Sequence, residues 1–164
     1  MKPNNNSTEP NMNPDPNIDP TEALAAVFGE PKQIAEGITA FGPVVYSYTR
    51  AQAVADGVQV EVTKTAQEAG IRFPVFLTRA VFDAYVAVPP NVTGQDESGR
   101  LWDVVWMLRF AIQRTSRGVS RLPFALYVRN DNRAAKLVKL IAVAGPLDID
   151  DPSPSITVMM PDED

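Results

Sequence analysis

The segment that most constrains this chain runs over residues 99–114. Leu101, Val104, Val105, Leu108 and Ile112 follow the i, i+3, i+4, i+7, i+11 spacing of one helical face, and Trp102, Trp106 and Phe110 add a flanking aromatic stripe. Both tryptophans of the chain fall here. A helix with that much apolar surface is expected at the centre of a core, with Ser98 as its N-cap.

After this helix the period changes from helical to extended. Leu122, Phe124, Leu126 and Val128 alternate with Pro123, Ala125, Tyr127 and Arg129, then Asn130-Asp131-Asn132 makes a turn and residues 136–144 return as a second strand. Gly145-Pro146 is expected to break that strand, and residues 155–160 read as a third, antiparallel one.

Upstream, the helix signals are short. Thr49-Arg50-Ala51-Gln52 is a capping box whose helix Gly57 ends, Val58, Val60 and Val62 alternate as a half-buried strand, and Thr65 to Glu68 is a second capping box closed by Gly70. Thr78 is placed to cap a longer helix over residues 79–88, with Val81, Phe82 and Tyr85 inward and Pro89-Pro90 as its stop. The fold class expected is α+β: a single domain in which several short helices and one central Trp-containing helix pack on a small C-terminal antiparallel sheet.

The flanks differ in kind. Residues 1–20 hold six Asn and five Pro and bury too little apolar surface to offset the entropy of ordering, so they are expected to be disordered. Residues 21–42 read as a short helix, with Leu24, Val27 and Phe28 on one face, followed by a linker. The folded domain is expected over residues 43–161, opening on an extended Val44-Val45-Tyr46-Ser47-Tyr48, and residues 162–164 as an acidic tail. An Asn/Pro tract is no secretory signal, and no apolar run reaches the roughly twenty residues of a membrane span. The expected compartment is the cytoplasm, with no membrane partner.

Composition bears on chemistry more than on fold. The chain has no His and no Cys, which removes Ser-His-Asp triads, thiol nucleophiles, zinc knuckles and the usual general base near neutral pH. No dinucleotide fingerprint or phosphate-cradling loop is present, and Ser98 and Ser120 sit in no nucleophile elbow. Asp96 and Glu97 are adjacent on a polar loop, where successive side chains diverge and give no glycosidase pair, and Asp148, Asp150 and Asp151 lack the Gly and distal Glu of a calcium loop, so that run reads as a solvated acidic linker. No catalytic residue, metal site or cofactor is expected, and the chain reads as a non-enzyme.

Two clusters remain. Asp103 lies between two tryptophans on an apolar helix, where an unpaired carboxylate is costly, so an ion pair with Arg72 or Arg79 is expected; with Arg50 and Arg72 it would otherwise line a polar pocket. The second is charge. The net −5 divides into −4 over residues 1–42, +5 over residues 43–147 and −6 over residues 148–164, and residues 100–139 alone hold nine basic against two acidic side chains. Arg114, Arg117, Arg121, Arg129 and Lys139 beside Tyr127 form a candidate surface for phosphate contact and base stacking, although arginines also flank turns and helix ends for solubility.

Three stretches also look familiar together: Val45-Tyr46-Ser47-Tyr48-Thr49-Arg50-Ala51-Gln52-Ala53-Val54-Ala55-Asp56-Gly57, Gly70-Ile71-Arg72-Phe73-Pro74-Val75 with Leu77-Thr78, and Ser98-Gly99-Arg100-Leu101-Trp102-Asp103-Val104-Val105-Trp106-Met107. In order and spacing they resemble a family of small bacterial proteins, often carried on plasmids and phages, whose function is not established. The resemblance covers residues 43–161, implies an accessory protein of a mobile element, and supplies no catalytic residues. The expected function is an interaction module with a protein or other macromolecular partner; the alternatives are nucleic-acid or nucleotide binding through residues 100–139, and a carboxylate-based enzyme.

Overall fold

The computed structural model describes residues 48–116 and 118–163. The Asn/Pro leader, the short helix over residues 21–28, the extended stretch over residues 44–47 and Arg117 lie outside the described residues.

The first helix, α1 (Arg50–Ala55), starts on the predicted capping box: Thr49 Oγ1 accepts from the Gln52 N–H at 3.1 Å, and Gln52 Oε1 accepts from the Thr49 N–H at 2.9 Å. The two N–H groups left in its first turn, on Arg50 and Ala51, both donate to the Asp148 carboxylate, at 3.1 and 3.2 Å. Asp148 is therefore a helix cap supplied from another loop. The expectation of a purely solvated acidic run is corrected there.

A short strand, β1 (Gln59–Glu61), leads into α2 (Thr63–Glu68). This helix begins before the capping box expected at Thr65, because Val62 precedes it without a side-chain cap and Thr65 falls inside the first turn. Gly70 closes it at φ 89°, as expected, and an added Cβ there would lie 3.3 Å from Arg109 Nε.

The next strand, β2 (Val75–Thr78), was not expected. Val75, Phe76 and Leu77 are buried in succession, so the run carries none of the alternation by which a half-exposed strand is recognised. Thr78 then caps α3 (Arg79–Val81), its Oγ1 accepting from the Val81 N–H at 3.3 Å. The longer helix expected here passes into a π-helical turn, Phe82–Val86, closed by the Ala87 N–H donating to the Phe82 carbonyl at 2.8 Å.

The long helix is α4 (Glu97–Arg114). Its cap is Asp96, which accepts from the Gly99 N–H at 2.8 Å, and Ser98 lies within the first turn. A carboxylate at that position satisfies an orphan N–H and complements the positive end of the helix dipole, which a neutral hydroxyl already inside the first turn does not do.

Strands β3 (Arg121–Val128), β4 (Lys136–Pro146) and β5 (Pro154–Met159) form the expected antiparallel meander, with β4 continuing through the Gly145-Pro146 break. The sheet does not stop there. Five strands lie in the order β1-β2-β5-β4-β3, with β2 parallel to β5 and β1 antiparallel to β2. The α+β class stands, on a larger and mixed sheet.

One face of the sheet carries Val75, Leu77, Leu122, Phe124, Leu126, Leu140, Ala142, Ile156 and Val158, and α4 covers it with Val104, Val105, Leu108 and Ile112. On the opposite face Arg50 lies over β2, its guanidinium 4.5 Å from the Phe76 ring centroid, and donates to Gln59 Oε1 at 2.8 Å, Thr157 Oγ1 at 2.9 Å and the Leu147 carbonyl at 2.6 Å. Burial lowers its pKa from the usual value, and nearby Asp148 opposes that shift. The C-terminal acidic residues are not all remote: Glu163 Oε2 accepts from Thr78 Oγ1 at 2.9 Å and from the Met160 N–H at 2.6 Å.

Candidate functional site

The candidate site lies where α4 overhangs β3, the last strand of the sheet. Three side chains four residues apart, Trp102, Trp106 and Phe110, form a row along α4 that is 38%, 45% and 46% exposed. Val104, Val105, Leu108 and Ile112 carry the helix into the core, and the aromatic row stands beside that face, about half exposed.

The row is ordered by its own contacts. Trp102 and Trp106 stack with ring centroids 5.7 Å apart and planes 20° apart, Arg109 lies 5.1 Å from the Trp106 ring, and Arg114 lies 5.1 Å from the Phe110 ring. Arg109 is in turn packed against Gly70 at the end of α2.

Across from the row is the edge of β3. Two cavities run along it, of about 490 and 320 Å³, and Asp103, Leu126 and Tyr127 line both. Trp102 and Arg100 wall the larger, while Trp106, Met107, Ala125 and Leu137 complete the smaller. Tyr127 and Leu137, directly paired across β3 and β4, are 68% and 56% exposed. Aromatic and aliphatic surface of this extent beside an open strand is what an interface uses, since isolated apolar side chains need no partner but contiguous ones do.

The head of the groove is held by Arg100, a buried arginine with four of its five N–H groups engaged. Its Nε donates to the Tyr85 carbonyl at 3.1 Å, Nη1 to Gln95 Oε1 at 2.6 Å and the Arg129 carbonyl at 2.9 Å, and Nη2 to Asn130 Oδ1 at 2.6 Å. Burial lowers its pKa, and the nearby Asp103 charge opposes this. Nothing in the sequence marked Arg100 as buried; its partners come from the π-helical turn, the loop before α4 and the turn after β3.

Asp103, Arg72 and Arg50 are not brought together. Asp103 is exposed in the groove and makes no hydrogen bond or ion pair among the described residues, so the cost that would have demanded an arginine partner does not arise. Arg79 pairs with Asp83 instead, at 3.0 Å. Arg72 is exposed after Ile71, and Arg50 lies on the far face of the sheet over Phe76.

The basic candidates divide in the same way. Strand alternation puts Arg121, Tyr127 and Lys139 on the sheet face away from α4. Arg114 lies instead on α4 against Phe110, and Arg129 donates to the Thr93 carbonyl at the end of β3. The expected single surface is therefore not formed, and these residues lie in three separate places. Among the described residues no cluster of three or more acidic side chains could hold a metal ion, and no helix is long and apolar enough to cross a membrane.

The groove itself was not read from the sequence, though two signals pointed to it. Pro123 inside a strand marks an edge, because it cannot donate to a neighbour, and an aromatic row offset from the apolar stripe exceeds what one core face can cover.

No curated protein and no solved structure matches the chain. The model of a family of unknown function, DUF6573, matches residues 36–164, and the chain belongs to that family.

Proposed function

We propose that the protein is a non-enzymatic interaction module that binds a segment of another protein in the groove between α4 and β3. The observation that carries this reading is the half-exposed row of Trp102, Trp106 and Phe110 beside the open edge of β3, with Tyr127 and Leu137 extending the apolar surface around that edge. Tryptophan and tyrosine in partly desolvated grooves are the side chains that anchor partners. The absence of His and Cys from the chain supports binding over turnover. The resemblance to proteins borne on plasmids and phages supports a role as a cytoplasmic accessory protein of a mobile element, acting on a host or element protein.

The test is selection of short random peptides, displayed on phage, against the full immobilised chain. Enrichment that disappears with Trp102→Ala/Trp106→Ala supports the module. No enrichment above an unrelated control protein overturns it.

A second reading, nucleic-acid binding, draws on Arg121, Tyr127 and Lys139 sharing the sheet face opposite α4. It expects salt-dependent binding of single-stranded DNA or RNA that Arg121→Ala/Lys139→Ala weakens, with a shallower salt slope. Absence of any mobility shift at low salt removes it.

A further inference from the structure

The chemistry of the bound segment and the way it docks can be specified from the groove, on the footing that the groove binds a peptide. The backbone of β3 sets the docking mode. The Ser120 carbonyl accepts from the Ala144 N–H at 3.0 Å, and the β3–β4 register pairs Leu122, Phe124, Leu126 and Val128 with Ala142, Leu140, Val138 and Lys136. In an antiparallel pair the N–H and C=O of alternate residues point the same way, so the even-numbered positions face β4 and the odd-numbered ones face outward. Pro123 falls on the outward set, where its missing N–H costs the sheet nothing. Ala125 and Tyr127 then offer both their N–H and C=O groups at the outer edge, and both line the smaller cavity. That is a template for an added strand.

The side chains around that edge specify a charge. Asp103 is the one charged residue among those lining the smaller cavity; the others are Trp106, Met107, Ala125, Leu126, Tyr127 and Leu137. Arg100, the nearest cation along the helix, has four of its five N–H groups committed to Tyr85, Gln95, Arg129 and Asn130 and forms no bond to Asp103. An unpaired carboxylate at the end of an apolar and aromatic channel matches a long aliphatic stem with a cationic head. The stem gains contact with Met107, Leu126 and Leu137, and the head gains the carboxylate beside the aromatic lining of Trp106 and Tyr127. Arginines already lie against two rings of the same row.

We infer that an extended peptide segment adds as a strand to the free edge of β3 at Ala125 and Tyr127, and that a lysine or arginine of that segment binds Asp103. Other occupants fit less well. A nucleic acid would set phosphates against the Asp103 carboxylate. A second copy pairing β3 with β3 about Ala125 would set Arg121 against Arg129 of that copy at both ends, a like-charge arrangement that opposes pairing.

The experiment uses the full chain and three displayed peptide libraries whose central position is fixed as Lys, Leu or Glu. The Lys library is expected to enrich over the other two, Asp103→Asn to weaken the selected Lys peptides about tenfold or more, and Asp103→Lys to turn the preference to the Glu library. N-methylation of the selected peptide is expected to abolish binding at alternate backbone positions only. Equal enrichment of the Leu and Lys libraries, or unchanged affinity in Asp103→Asn, overturns the cation site while leaving peptide binding standing. Tolerance of N-methylation at every position overturns strand addition. Failure of all three libraries overturns the peptide-binding reading itself. A dimer through β3 that no peptide displaces, seen by sedimentation, overturns the proposed occupant. Asp103 is exposed on α4, and the circular dichroism of each variant shows whether the fold is kept.

Discussion

The guanidinium of Arg100 and the side-chain amide of Asn130 meet at 2.6 Å, joining the first turns of α4 to the turn that follows β3. The same guanidinium reaches the Tyr85 and Arg129 carbonyls, so its removal leaves several polar groups without partners at once. Arg100→Met is expected to destabilise the fold by on the order of 3 kcal/mol. Arg100→Lys should recover only a small part, since an ammonium cannot reproduce the planar fork. Urea denaturation of the variants measures both.

Core and groove lie on the same helix, and this permits a controlled comparison. Leu108→Ala, at a fully buried position, is expected to cost about 3 kcal/mol. Trp106→Ala removes a larger side chain from a half-exposed position and is expected to cost about 1 kcal/mol while abolishing peptide enrichment. Thermal melts and the display selection separate the two effects.

Gly70 has a positive φ and Arg109 packed against it. Gly70→Ala is expected to cost on the order of 1 kcal/mol from the backbone alone. It should also displace Arg109 from the Trp106 ring, which a change in tryptophan emission would report.

The two stacked indoles, 5.7 Å apart, are close enough to couple their transitions. The circular dichroism of the native protein is expected to contain an exciton couplet that Trp102→Phe abolishes. Binding of a peptide in the groove should alter the same signal.

Asp148 contributes to the pH dependence, as does Asp151, which the Ser153 hydrogen bonds also hold below the ordinary carboxylate value. The pKa of Asp148 is held below the ordinary 3.8, first by the hydrogen bond from the Ile149 N–H and then, against some desolvation, by those from Arg50 and Ala51 and by the Arg50 charge. A carboxylate depressed in the folded state binds its proton more readily in the unfolded chain. Its contribution is thus complete above the unfolded value near 3.8 and is lost as the pH falls through the lower folded value. Asp148→Asn should be less stable than the wild type at pH 7, and the gap should narrow on acidification below pH 4. Melting temperatures measured across that range check the sign.

What was legible in the sequence was whatever depends on neighbours in sequence. The Thr49 and Gln52 capping box, the Gly70 stop, the α4 periodicity and the β3 alternation are all short-range patterns, and each is present in the structure. Strand β2 was missed because burial on both faces erases alternation, and its parallel partner β5 lies 81 positions downstream by register, from Val75 to Ile156. The cap that Asp148 supplies to α1 spans a similar gap, so an acidic run gave no sign of it. In the site, Asp103 was read as a buried carboxylate needing an arginine partner, whereas it is exposed. Its actual position follows from where α4 overhangs the sheet edge, which no local pattern encodes.

The placement of β5 between β2 and β4 has a consequence for biosynthesis. Among the described residues the first two strands and the β3–β4 hairpin are not paired with each other; β5, later in the chain than all four, is the strand that joins them. During translation the chain therefore holds two unfinished sheet fragments with raw inner edges, and the core under α4 closes only when residues 154–159 leave the ribosome. Nascent chains arrested before that point should be sensitive to protease and prone to self-association, and quality control would read a truncation of even these few residues as an unfolded protein.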